Sequence, residues 1–164
     1  MLAFSVLWGL VLSTKVFGSR PRPNWVLDLH RFVGGAAVIF TGIHVLSLVL
    51  DSYIEFGLRE IFVPFTSSYR PAAVAWGVIA LYLVLAVEIT SLLRKRLSKR
   101  AWRATHYLSF PLFILATAHG VTAGTDKDTF LLRAAFIGVT AAVGGLTAAR
   151  AAQAADTQHV PSVL

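Results

Sequence analysis

Apolar residues in this chain fall in long runs and not in the short alternating stripes of a soluble fold. Five runs can be drawn, approximately Met1–Phe17, Val26–Leu50, Ala72–Leu93, Ala104–Thr122 and Phe130–Ala149. An α-helix needs roughly 20 apolar residues to cross a hydrocarbon core of about 30 Å. The pattern therefore predicts an all-α, polytopic membrane bundle of about five transmembrane helices. The first run is short, but it lacks the basic leader of a signal peptide and reads as a true helix. Pro21 and Pro23 part it from the second. Trp8, Trp25, Trp76 and Trp102 are expected near span ends, as interfacial anchors. Between the second and third runs, apolar and charged residues alternate irregularly from Asp51 to Arg70, and the stretch Ile54 to Val63 predicts a short helix lying on the membrane surface. After Arg150 the apolar pattern stops, which divides the chain into a membrane domain over 1–150 and a polar, flexible tail over 151–164.

Composition supports this class. Of 164 residues, 56% are hydrophobic and only 14% charged, with a mean hydropathy of +0.69, where a soluble domain carries about 25% charged residues. The expected partner is a lipid bilayer. A net charge of +7 does not point to nucleic acid here, because the basic residues gather at the ends of the runs. Lys15, Arg20, Arg22, Arg31, Arg94, Lys95, Arg96, Lys99, Arg100, Arg103 and Arg150 fall on one side, against Arg59, Arg70, Lys127 and Arg133 on the other. Asp51, Glu55, Glu60, Asp126 and Asp128 also lie on the second side. The positive-inside rule then puts the N-terminus outside and the C-terminus in the cytoplasm. There is no cysteine, so disulfides, thiolate sites and cysteine-held iron–sulfur clusters are excluded and histidine is left as the soft metal ligand.

Two runs each carry a pair of histidines: His30 and His44, fourteen residues apart, and His106 and His119, thirteen apart. At 1.5 Å per residue either spacing is about 20 Å along a helix, so each run offers an imidazole at two depths of one bilayer. The two runs are separated by one span and run in parallel, which sets His30 level with His106 and His44 level with His119. Histidine is costly to bury in lipid without a partner, and two haems, each clamped by one imidazole from each helix, would explain all four. On the first helix His30, Gly34, Ala37, Thr41 and His44 form one stripe with only small residues between the ligands. Such a stripe can admit a flat macrocycle or a neighbouring helix. On the second helix thirteen residues leave the rings about 140° apart if the helix is regular. Pro111 lies between them and removes the bond to the Tyr107 carbonyl, which can rewind that segment. Arg31 could meet haem propionates or act as an ordinary interfacial arginine. Phe40, Phe110 and Phe113 could line the space between haems or simply pack. Glu88, an acid near the end of the third run, is a candidate proton relay. The basic stretch Arg94 to Arg103 could dock an acidic flavoprotein or only orient insertion, and His159 in the tail is expected to be unliganded.

The run LHRFVG from Leu29 to Gly34 followed by His44, and WRATH from Trp102 to His106 followed by Pro111 and by Ala118, His119 and Gly120, resemble the ferric reductase-like transmembrane domain. That family includes NADPH oxidases, ferric reductases and the haem-binding membrane subunit of bacterial methionine sulfoxide reductase systems. The resemblance implies two b-type haems with His30, His44, His106 and His119 as axial ligands, in a bacterial inner or plasma membrane. It differs in having five runs where members have six spans, and in ending at Leu164 with no Gly-x-Gly-x-x-Gly fingerprint. The expected function is a di-haem electron conduit, the electron-transfer subunit of an oxidoreductase. Its donor is expected to be a separate flavoprotein carrying FMN or FAD, or a quinol, and its outer acceptor is not specified by the sequence. The competing readings are a haem-free scaffold or metal-transporter subunit, and a quinol-oxidising cytochrome of the b561 type.

Overall fold

Inside lipid the backbone can satisfy its own N–H and C=O groups only as helix or closed barrel, and every regular element among the described residues of the computed structural model is helical. The structure describes residues 1–14, 24–51, 56–125 and 129–158. In chain order it contains α1 (Leu2–Ser13), α2 (Asn24–Leu50), α3 (Leu58–Phe62), α4 (Pro71–Leu92), a 3₁₀ turn (Arg94–Arg96), α5 (Lys99–His106), α6 (Ser109–Ala123) and α7 (Phe130–Gln158). No strand occurs among the described residues, and the chain is an all-α membrane bundle. Lys15, Arg20, Pro21, Arg22, Pro23, Ile54, Glu55, Asp126, Lys127, Asp128 and His159 lie outside the described residues.

Three helices among the described residues, α2, α4 and α7, are long and apolar enough to cross a membrane. α1 and α6 have 12 and 15 residues, about 18 and 22 Å at 1.5 Å per residue. The fourth apolar run differs most from the expected single helix over Ala104–Thr122, because it is divided between α5 and α6. Pro111 has no N–H to offer the Tyr107 carbonyl, which instead accepts from the Phe110 N–H at 3.2 Å, while the Leu108 N–H reaches Thr105 at 3.0 Å. These short-range bonds tighten the backbone over Tyr107 and Leu108 into 3₁₀-like turns, the usual repair where an i→i−4 bond is lost. The polar tail also differs from expectation, since α7 continues through Gln158. Ala151, Ala152, Ala154 and Ala155 are strong helix formers and carry the helix past the apolar stretch. The surface helix is present as the short α3, whose start is capped by Glu60 Oε2 accepting from the Gly57 N–H at 3.0 Å.

α4 is the hub. It packs most closely on α6 and also meets α2 and α5, while α1 lies against α2, α6 and α7. Ala73, Ala75 and Ala80 are buried along α4, and small side chains let membrane helices approach closely. Val6, Leu10, Phe113 and Val143 fill the junction of α1, α6 and α7, with Phe110 against them, so Phe110 and Phe113 are core residues there. On α2, Val26, Val33 and Ala37 are buried, while Phe32, Ile39, Ile43, Leu46 and Leu50 are exposed along another stripe, as expected where the solvent is lipid.

Two polar ties fix the direction of neighbours. Trp8 Nε1 donates to the Val26 carbonyl at 2.9 Å, joining the middle of α1 to the start of α2. Arg70 Nη1 donates to the Thr122 carbonyl at 2.7 Å, and the Tyr69 hydroxyl donates to Ala123 at 3.3 Å. A cation at the carbonyl end of α6 satisfies acceptors that helix geometry leaves unpaired. Arg70 itself has φ 39°, a left-handed turn that aims the chain into Pro71 at the first position of α4. The bundle thus has a basic end, with Arg94 to Arg103 and the starts of α2 and α6, and a far end with α3 and Arg70.

Candidate functional site

α2 presents His30 near the basic end and His44 three to four turns further on. α5 ends at His106, and α6 carries His119 in its last turns. The break at Tyr107 and Leu108 puts the two histidines of one apolar run on two separate helices, which removes the angular conflict that a single regular helix would impose. The structure brings together the two rings expected at each level. His30 and His106 have ring centroids 6.1 Å apart with planes crossed at 79°. His44 and His119 also stand 6.1 Å apart, crossed at 71°. α2, α5 and α6 each pack on α4, and the His30–His106 pair joins α2 to α5 while the His44–His119 pair joins α2 to α6.

Each pair is bordered by a glycine from a different helix. A Cβ added at Gly9 of α1 would stand 3.1 Å from His30 Cε1. One added at Gly77 of α4 would stand 2.7 Å from His119 Nδ1, closer than atoms can pack. His119 Nδ1 lies 2.9 Å from the Ala73 carbonyl. A carbonyl only accepts, so Nδ1 carries the hydrogen and the Nε2 lone pair is free. The far pair also lines an apolar cleft between α2 and α4, edged by Thr41, Gly77, Val78 and Leu81, with Phe56 and Ile61 from the α3 region. About 170 Å³ of that cleft is accessible to a water-sized molecule, less than the roughly 300–1,000 Å³ of drug-sized ligand sites.

The basic-end pair is surrounded differently. Trp102 stacks on His106, with centroids 5.1 Å apart and planes 24° from parallel, and the Arg94 guanidinium lies 4.7 Å above the indole. Trp102 is therefore a packing partner of an imidazole, beyond the interfacial anchor expected of it. The Nδ1 atoms of His30 and His106 and the Trp102 Nε1 are buried without a hydrogen-bond partner. The Ser5 backbone approaches His30 but does not meet hydrogen-bond geometry at Nδ1.

Other residues singled out in the sequence take ordinary places. Arg31 pairs with Asp28 at 3.1 Å in an exposed contact, worth about 0–1 kcal/mol. Gly34 opens toward α4, where a Cβ would be 3.2 Å from Glu88 Oε2 and 4.0 Å from Ser5 Oγ, so its missing side chain makes room for Glu88. Phe40 is exposed and borders an open cavity with Met1, Thr41 and His44. No group of three or more His, Cys, Asp or Glu side chains placed to hold a metal occurs among the described residues. Sequence reasoning missed Gly9, Gly77 and the Ala73 carbonyl. The available signal was a lone glycine inside each of two apolar runs, a placement that often marks close packing.

The family model of the ferric reductase like transmembrane component matches residues 1–117. The match takes in α1 to most of α6, with His30, His44 and His106, and ends two residues before His119. No curated protein and no solved structure matches the chain.

Proposed function

Because this chain belongs to the ferric reductase-like transmembrane component family, it is a membrane electron-transfer component, and we propose that it is a b-type di-haem cytochrome. His30 and His106 would hold one haem, and His44 and His119 the other. Each haem, when bound, would supply reversible one-electron chemistry.

The observation that carries this reading is the equal spacing of the two ring pairs. Two metal–nitrogen bonds of about 2 Å, plus roughly 1 Å from each nitrogen to its ring centre, give about 6 Å, against 6.1 Å in both pairs. Edge-to-face contact between rings can also give a separation in this range. Against that stands the identity of the two values in unlike surroundings, one pair beside an apolar cleft and the other under a tryptophan. The donor count points the same way. Two imidazoles with no third ligand group beside them among the described residues suit a metal whose remaining ligands come from a macrocycle, whereas a bare zinc or copper site needs three or four protein ligands.

The chain's own residues orient and isolate these ligands. Ala73 holds the His119 tautomer, Gly77 and Gly9 let helices close on the rings, and Trp102 covers His106. In the proposed orientation the basic end faces the cytoplasm, where a separate flavoprotein or a quinol would give electrons, and the far end faces an outer acceptor. Reduced-minus-oxidised spectra of the purified protein test the reading. Two haems per chain are expected, and His44→Ala or His119→Ala should remove about half of the b-type absorbance. A protein that stays colourless when expressed with ample haem sinks it.

A further inference from the structure

At the basic end, a second polar arrangement stands apart from the imidazoles. Arg103 on α5 and Arg150 on α7 both reach the Tyr107 hydroxyl, at 3.3 and 3.4 Å. Arg150 also lies 5.7 Å over the Tyr107 ring. The tyrosine is placed by the turn that Pro111 forces between α5 and α6, and the two arginines come from segments 47 residues apart, so the convergence is tertiary and not local. Neither guanidinium meets a carboxylate among the described residues, where the ion pair found is Arg31 with Asp28.

The hydrogen-bond count of this cluster is one-sided. A guanidinium has five N–H donors and no acceptor, and a phenol oxygen that accepts from two of them keeps its own hydrogen to give. The three groups therefore present donors only. Two like charges drawn to one oxygen also repel each other. Donor excess and uncompensated positive charge are both relieved by an oxyanion, and the fork of an arginine matches the oxygens of phosphate best.

We propose that Arg103, Tyr107 and Arg150 bind a phosphate group, and that its source is the headgroup of an acidic phospholipid. Position favours the lipid over a soluble phosphate. The site lies where the apolar part of α6 begins and that of α7 ends, which is headgroup depth, and basic pockets between helices at this level take anionic headgroups. The proposal does not depend on haem at the paired imidazoles.

The test uses the full-length protein as purified, and in parallel the same protein with haem added and with haem removed, each stripped of lipid in detergent. Dioleoyl phosphatidylglycerol, dioleoyl phosphatidylcholine and inorganic phosphate are titrated separately, and bound copies are counted by native mass spectrometry. Phosphatidylglycerol should bind about tenfold more tightly than phosphatidylcholine, a gap that the Arg103→Gln, Arg150→Gln double variant should abolish. Tyr107→Phe should weaken it several-fold. Arg150→Lys, which keeps charge and fold but loses the fork, should also weaken it, and it stands in if the double variant does not fold. Unchanged lipid affinity in these variants overturns the site. Displacement by millimolar inorganic phosphate without lipid preference overturns the lipid assignment. Lipid binding confined to haem-free protein gives the arginines to haem carboxylates and overturns the proposal as well.

Discussion

The two imidazole pairs share a spacing and little else. At the far end, His119 is held by a main-chain acceptor at 2.9 Å, pressed by Gly77 and open on one side to an apolar cleft. At the basic end, His30 and His106 keep unpartnered Nδ1 atoms and are wrapped by Gly9 and by the Trp102 indole. The far ring is thus fixed by hydrogen bonding, which selects one tautomer, and the basic-end rings by shape, which selects a position but not a proton. A membrane bundle can hold equivalent imidazoles by two different physical means, and the two should fail differently.

Substitutions that strike one pair and spare the other would break or sharpen this contrast. The largest effect is expected from Gly77→Ala. Its methyl would fall 2.7 Å from His119 Nδ1, so the ring must leave the Ala73 carbonyl or α4 and α6 must part. Overpacking of this kind costs about 1–3 kcal/mol. Loss of the far haem alone, read as half the pyridine haemochrome signal, is the expected result, and full occupancy would show that α4 does not confine the ring. Pro111→Ala comes next. It restores an N–H for the Tyr107 carbonyl and allows a continuous helix, on which the rings would stand about 140° apart. Electron paramagnetic resonance of the ferric protein, which distinguishes crossed from parallel imidazole planes, should change for both pairs. Gly9→Ala should act more weakly and only at the basic end, because 3.1 Å from His30 Cε1 needs a shift of a few tenths of an ångström. A small displacement of one haem's midpoint potential with full occupancy is expected. Trp102→Ala should do least to occupancy. It removes the stack on His106 and the Arg94 contact, the latter worth about 0.5–1 kcal/mol at an exposed site, and a thermal melt followed at the b-type band should shift by a few degrees while the far pair stays unaffected.

The fold and the two pairings were legible in the sequence to different depths. His30, His44, His106 and His119 stand out because each interrupts an apolar run, and parallel spans alone set which ring faces which. Pro111 could be seen to free the Tyr107 carbonyl, but not that Phe110 would take it up and split the run between α5 and α6, since that depends on which repair the packing accepts. Gly9 and Gly77 looked like any glycine in a membrane helix, because a missing side chain acquires meaning only when a neighbour's ring fills the space. The Ala73 acceptor is a backbone atom, present at every position and so unmarked in any sequence pattern. The helix beyond Arg150 was missed for the opposite reason, since apolar periodicity stops there while alanine keeps the backbone helical.

That the Ala73 oxygen, and no side chain, receives the hydrogen of His119 has a consequence for how this protein can vary. Any residue small enough to sit at the buried position 73 leaves the peptide oxygen in place, so a small-for-small replacement there does not erase the contact. What the ring depends on is that α4 stays helical and in register from Pro71 onward. Position 73, being buried, is therefore constrained in size and in backbone but not in which small side chain it carries, which makes an inserted or deleted residue near the start of α4 more damaging than a small-for-small replacement.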